Sequence, residues 1–158
     1  MAELRPLRLE DLEAVLEVYR DAVISQATGR YSTVQIQAWA GHAARKPEVR
    51  QALQRGYGLV SIAADQPQRI EAFALLDPGD RLSLLYCRGS ASRQGHGRAL
   101  VRALETHARA SGCARLRTEA SQLSRPLLER LGWELEAEET VPFAGEPFVR
   151  WRMIKDLL

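Results

Sequence analysis

With 158 residues, 46% of them apolar and 27% charged, and a net charge of +2, the chain has the make-up of one ordinary globular domain. That length can bury a core without disulfides or metals, and so slight a charge gives no reason to expect a nucleic-acid partner. No apolar run reaches membrane-spanning length and Met1–Glu10 lacks the apolar core of a secretion signal, so the expectation is a cytoplasmic protein with no membrane partner.

In chain order, Arg5 to Leu7 reads as a short first strand. A helix begins near Glu10 or Asp11, with Leu12, Val15, Leu16, Tyr19, Ala22 and Val23 at helical spacing on one face. After Gly29, Ser32 and Thr33 offer N-caps for a second helix carrying Ile36, Trp39 and Ala40. Pro47 opens another helical piece with Val49, Ala52 and Leu53, stopped by Gly56 and Gly58. The pattern then turns to strands: Leu59 to Ala63, Ile70 to Leu76 and Leu82 to Cys87. The turns Asp65-Gln66-Pro67-Gln68 and Asp77-Pro78-Gly79-Asp80 join them as an antiparallel meander.

A crossover follows. Ala99, Leu100, Ala103, Leu104 and Ala108 make a helix ending at Gly112, and the strand Ala114 to Glu119 is most economically placed parallel to the strand before it. A short helix runs from about Ser124 to Leu131 and ends at Gly132. In the closing strands, Trp133, Leu135 and Ala137 alternate with Glu134, Glu136 and Glu138, and Val149, Trp151 and Met153 with Arg150 and Arg152. Cross-strand Glu–Arg pairs, worth about 0.2–1 kcal/mol each, would fix their register. The fold class is α+β: one mixed sheet, an early helical segment and one crossover.

The stretch from Leu82 to Leu100 carries the strongest signal for chemistry. A strand delivers the backbone to Gly95-His96-Gly97, and the helix that starts there presents unpaired N–H groups to an anion. The dinucleotide fingerprint fails because Leu100 stands where its third glycine belongs and the strand ends a meander. A P-loop fails for want of its Gly-Lys-Ser/Thr. Lys46 and Lys155 are the only lysines, so the positive charge near the turn is arginine (Arg88, Arg93, Arg98, Arg102), which suits multidentate phosphate contacts. Cys87 and Cys113 read as small buried hydrophobes in a reducing compartment, and no Cys/His spacing resembles a zinc site, so no metal is expected. His42, His96 and His107 are read as surface residues, His96 with a possible phosphate contact when protonated.

The run from Leu85-Tyr86-Cys87 to Gly97-Arg98-Ala99-Leu100 resembles the acetyl-CoA motif of the GNAT superfamily of N-acetyltransferases, whose core [Q/R]xxGx[G/A] is matched by Gly95 and Gly97. Leu116 to Ser121, Leu127 to Trp133 and Trp151 to Lys155 are similar to that family's later segments. Tyr31-Ser32 with Gln35, Ala38 and Trp39 resembles the acceptor-side helices of one bacterial branch. Ser92 stands where Gln or Arg is usual. Leu128 replaces the tyrosine that in many members protonates the departing thiolate.

The resemblance implies a single N-acetyltransferase domain over residues 1–158, with a mostly antiparallel sheet splayed at two parallel central strands and helices on both faces. It implies acetyl-CoA as co-substrate, transfer to a primary amine of a small molecule or peptide, and direct attack in a ternary complex. On the cofactor side it implies Leu85, Cys87, Arg93, Gln94, Gly95, His96, Gly97, Arg98, Ala99, Ser121 and Arg130. Glu119 is the first candidate base, against an alternative ion pair with Arg150 or Arg152; Tyr86 is a weaker catalytic candidate, and Tyr31 and Trp39 are candidate acceptor contacts. The other reading is an acetyl-CoA sensor or partner-binding module without catalysis. Either a monomer or a homodimer is compatible with the sequence.

Overall fold

The computed structural model describes residues 2–158. Its elements are β1 (Ala2–Pro6), α1 (Leu12–Ala27), α2 (Thr33–Arg45), α3 (Glu48–Arg55), β2 (Tyr57–Ala63), β3 (Gln66–Leu76), β4 (Arg81–Cys87), α4 (His96–Ala110), β5 (Arg115–Ala120), α5 (Arg125–Arg130), β6 (Glu134–Phe143) and β7 (Glu146–Asp156). They build one seven-stranded sheet in the order β1-β2-β3-β4-β5-β7-β6. Every neighbouring pair is antiparallel except β4 and β5.

Each face of the sheet is covered by helices whose apolar stripes the sequence supplies. On one face, Val15, Val18, Tyr19 and Val23 of α1 pack with Trp39 of α2 on Val60, Phe73 and Leu75. On the other, Leu100, Val101 and Leu104 of α4 meet Ala72, Ala74, Leu116 and Met153, with Leu128 and Leu131 joining from the α5 segment. Each large aliphatic side chain buried in this way contributes about 1.5–3 kcal/mol. Ser32 is the cap that starts α2: its Oγ accepts from Gln35 N–H (3.1 Å), while Gln35 Oε1 accepts from Ser32 N–H (2.9 Å).

The crossover and the order of the meander form as the sequence predicts, but β3 begins at Gln66 and not Ile70, which moves the first turn to Ala64-Asp65, and the structure corrects three further expectations. The last two strands are longer than their alternation suggests and meet at the two-residue Ala144-Gly145 turn. A bulge between Leu135 and Ala137 breaks the β6 alternation and sets Ala137 opposite Arg152, and Leu135, on this edge strand, is half exposed. The partner of Arg150 and Arg152 is Glu139, at 2.5 and 3.3 Å, while Glu138 accepts from the Trp151 indole at 2.9 Å.

The feature that positions the site is the seam between β4 and β5. Their parallel pairing comprises only Arg81 with Arg117 and Leu82 with Thr118. Thr118 Oγ1 donates to the Leu82 carbonyl (2.6 Å) and Arg117 N–H to the Asp80 carbonyl (2.9 Å). Beyond Leu82 the strands diverge. At the same level a bulge in the β3–β4 ladder places Leu75 opposite Leu84 and Leu76 opposite Leu82, so Ser83 is extra.

Candidate active site

The divergence of β4 and β5 opens a cleft of about 980 Å³ whose walls include α1, α2, the start of α4, the α5 segment and the β6–β7 hairpin. Its two halves have different chemistry.

The first half has the features that an anion cradle requires. Arg93 and Gly95 both have positive φ (62° and 90°), and they turn the chain sharply into α4. Gly95 caps the helix in the left-handed conformation, which a residue without Cβ adopts at no steric cost. The first backbone bond of α4 runs from Ala99 N–H to the Gly95 carbonyl (3.0 Å), so the N–H groups of His96, Gly97 and Arg98 lie in the unpaired first turn. A Cβ on Gly97 would come within 3.0 Å of Leu127, which shows how closely α4 and α5 approach here. Arg93, Arg98 and Arg130 line the cleft, exposed, with no carboxylate partner among the described residues. Gln94 and Ala99 belong to the same turn but do not line the cleft.

His96 is not a surface residue. It is 3% exposed, and its Nδ1 lies 2.7 Å from Ser61 Oγ on β2, so the imidazole anchors the cradle to the sheet rather than facing a ligand. Burial lowers its pKa, with Glu71 opposing. The phase of the α4 stripe carries this signal: His96 precedes Leu100, Leu104 and Ala108 at steps of four and so continues their inward-facing row. His42 is also partly buried, against Phe143, and His107 stacks on Tyr57 with 3.5 Å between ring centres.

Between the halves runs the free edge of β4. Arg88 N–H donates to the Glu71 carbonyl of β3 (2.8 Å). By strand alternation Tyr86 and Leu84 also turn their backbone groups to β3, and Leu85 and Cys87 turn theirs to the gap. The Cys87 carbonyl is already engaged by the Gln26 side chain of α1 (2.5 Å). Its thiol is pushed up to about 11 by burial. Ser121, across the gap, uses its Oγ to accept from Leu123 and Ser124 N–H (3.1 and 3.3 Å), and thereby shapes the turn into α5.

The second half is aromatic. Tyr31 and Trp39 meet edge to face at 5.3 Å, and Phe148 lies 5.8 and 6.0 Å from them. The Trp39 indole N–H donates to Tyr86 Oη (3.1 Å), and Tyr31 Oη accepts from Gln122 N–H (3.0 Å). Burial pushes the Tyr86 phenol up to about 12 and raises Tyr31 as well, so both hold their protons at neutral pH. Phe143, Phe148 and Gln26 of this half escape sequence reasoning. The hairpin that carries the phenylalanines is remote in sequence from Trp39, and only the β5–β7 register brings it over.

Glu119 sits at the point of divergence, on the same face as Tyr86. Its ion-pair partner is Arg81, not Arg150 or Arg152: Arg81 Nε and Nη2 both donate to Oε1 (2.9 and 2.6 Å). Oε2 has no protein donor among the described residues. Leu128, 1% exposed, packs where the cleft meets the α4-side core.

The family model of the acetyltransferase (GNAT) domain matches residues 27–155. The chain belongs to the GNAT acetyltransferases. Solved structures of this fold superpose over nearly the whole chain. A GCN5-related N-acetyltransferase (aminotransferase, class II) from Rhodopseudomonas palustris gives a TM-score of 0.92 at 24% identity, covering 99% of this chain and 96% of that one. The PaiA N-acetyltransferase from Thermoplasma acidophilum, in complex with coenzyme A, gives 0.77 at 20% identity and 99% of both chains. YncA from Salmonella typhimurium, a putative acetyltransferase with its cofactor acetyl-CoA, gives 0.66 at 21% identity, covering 100% and 95%. No curated protein matches the sequence. At these identities the GNAT neighbours establish the fold, and the family match establishes an acetyltransferase.

Proposed function

We propose that residues 1–158 form an acetyl-CoA-dependent N-acetyltransferase that acts on a primary amine of a small molecule or peptide by direct attack in a ternary complex. The observation that carries this reading is the two-sided cleft: an anion cradle with three unpaired arginines on one side of the β4 edge, and a carboxylate with an aromatic pocket on the other. The coenzyme A and acetyl-CoA held by the structural relatives support the cofactor. Two free thiols, Cys87 and Cys113, fit a cytoplasmic setting.

The co-substrate supplies an acyl group activated as a thioester. The N–H groups of His96, Gly97 and Arg98, with the guanidinium groups of Arg93, Arg98 and Arg130, suit its phosphates. The backbone groups of Leu85 and the N–H of Cys87, free toward the gap, suit its amide-bearing arm. A strand-edge N–H is also the group that would meet charge developing on the acyl oxygen, where one such donor is worth about 2.7–4 kcal/mol.

An alkyl amine has a pKa near 10.4 and must lose a proton before it attacks. Glu119 Oε2 is the carboxylate oxygen available for this, while Arg81 orients the group through Oε1. Tyr86 holds its proton and is no base; its hydroxyl receives the Trp39 indole and fixes the pocket wall. No tyrosine stands at Leu128 to protonate the leaving thiolate, and with a thiol pKa of about 8.5 it can depart unassisted near neutral pH.

Titration calorimetry with acetyl-CoA, followed by thiol release over a panel of amines, tests this. Binding with amine-dependent release supports transfer; binding with no release from any amine supports a sensor; absence of binding refutes both.

A further inference from the structure

The acceptor half of the cleft has a composition that narrows the amine. We infer that the acceptor is a monoamine with an apolar or aromatic body that also carries a carboxylate, and that Arg30 receives that carboxylate. This rests on the transferase reading above and deepens it.

Three observations carry it. First, the cleft is lined by six arginines (30, 81, 93, 98, 130 and 150) and by one carboxylate, Glu119. Both Arg81 bonds fall on Oε1 of that carboxylate, leaving one oxygen for one amine. A polyamine or aminoglycoside would bring further ammonium groups into a site with no second acid to receive them and with guanidinium groups at its mouth.

Second, the polar atoms of the aromatic wall are already hydrogen-bonded within the protein. The Trp39 indole is spent on Tyr86, and the Tyr31 hydroxyl takes the Gln122 N–H. Tyr31, Trp39 and Phe148 therefore present chiefly ring surface, which suits an apolar body and not a sugar or a polar chain.

Third, the arginines are not equivalent. Arg81 is paired with Glu119 and Arg150 with Glu139. Arg93, Arg98 and Arg130 surround the phosphate cradle. Arg30 remains: it is exposed, it adjoins Tyr31 at the acceptor mouth, and it has no carboxylate partner among the described residues. Its backbone carbonyl accepts from Gln122 Nε2 (3.3 Å), which fastens this loop to the β5–α5 turn and fixes where the guanidinium starts. An unpaired guanidinium next to Tyr31, in a cleft with an aromatic wall and a single carboxylate, is complementary to an acceptor that joins one amine, one carboxylate and an apolar body.

The test uses matched pairs that differ only in the carboxylate: L-phenylalanine against phenethylamine, L-tryptophan against tryptamine, and 4-(aminomethyl)benzoate against benzylamine, with spermidine as the polycation. Acetyl-CoA binding is measured first, so a failure of the cofactor reading is seen separately. Thiol release is then followed for each amine with the wild type, Arg30→Ala and Arg30→Lys. The expected result is at least about a tenfold higher kcat/KM for one or more carboxylated members over their partners, expressed in KM. Arg30→Ala should bring each pair to parity by raising KM for the carboxylated members, with acetyl-CoA affinity unchanged, and Arg30→Lys should restore part of the gap. If acetyl-CoA binds but spermidine is the better acceptor, or the pairs are equal in the wild type, the inference is overturned while the transferase reading stands. Silence of all three carboxylated amines, or an Arg30→Ala variant that keeps the discrimination, overturns it equally.

Discussion

Replacing Gly95 by alanine isolates the backbone geometry of the cradle from every side-chain effect. The residue sits at φ 90°, ψ 2°, and a Cβ added there would meet no atom within 4 Å. The whole cost is therefore local, about 1–2 kcal/mol for an L-residue held in the left-handed region. If the loop keeps its shape, that cost appears as stability, and at roughly 2–4 °C per kcal/mol for a chain of this size the melting temperature falls by about 2–8 °C. If the loop instead relaxes, the N–H groups of His96, Gly97 and Arg98 turn away from their common focus. The same free energy then appears as about a 5–30-fold weaker affinity for coenzyme A. Scanning fluorimetry reads the first and titration calorimetry the second. Gly95→Asn is the control, because asparagine tolerates this conformation and should cost less in both. A Gly95→Ala protein unchanged in both melting temperature and affinity would refute the cradle argument, as would an asparagine variant as damaged as the alanine one.

Three further outcomes are expected. Glu119→Gln should lower kcat by about 10²–10⁴-fold while leaving acetyl-CoA affinity intact, and full activity across pH in that variant would remove Glu119 as the base. Trp133→Phe removes the indole N–H that donates to buried Glu105 (3.0 Å) and should cost about 1–3 kcal/mol in denaturant unfolding; the residual partners Arg102 and Lys155 set the lower end. His42 and His96 both have pKa values lowered by burial. Above pH 6.5 both states leave them neutral and the fold has its full stability. As the pH falls through 6.5 the unfolded chain takes up protons that the folded one resists, so stability declines. A His42→Gln/His96→Gln variant should show a flatter dependence of melting temperature on pH between about pH 7 and pH 5, and an unaltered slope would count against burial as the cause.

Much of this architecture is legible in the sequence because it is local. The α1 and α4 stripes, the Ser32 cap, the Asp77–Asp80 turn and the Gly95 turn each declare themselves within a few residues. What is not legible depends on register. Glu119 has arginines at many sequence distances: the β5–β7 register sets Arg152 directly opposite it, but Arg152 pairs with Glu139, and the two-pair seam between β4 and β5 brings Arg81 to Glu119. The β6 bulge that shifts Ala137 opposite Arg152 is invisible because alternation continues on either side of it. The aromatic pocket joins Tyr31, Trp39 and Phe148, which no spacing rule connects. For His96 the two signals conflict: its place in the α4 stripe points inward and its polarity points outward, and the Ser61 hydroxyl lets the stripe prevail.

The seam of two residue pairs also makes the sheet two leaves on a short spine, β1–β4 and β5–β7. Along most of its length the junction has no ladder of its own, and the amide-bearing arm of a ligand laid there would supply the missing rungs. Such a ligand is a structural member as well as a reactant. At a free concentration one hundred times its Kd it adds about 2.7 kcal/mol to the folded state. The loaded protein should then resist opening between the leaves, with slowed hydrogen exchange at Leu85 and Cys87 as the local sign of a closed spine.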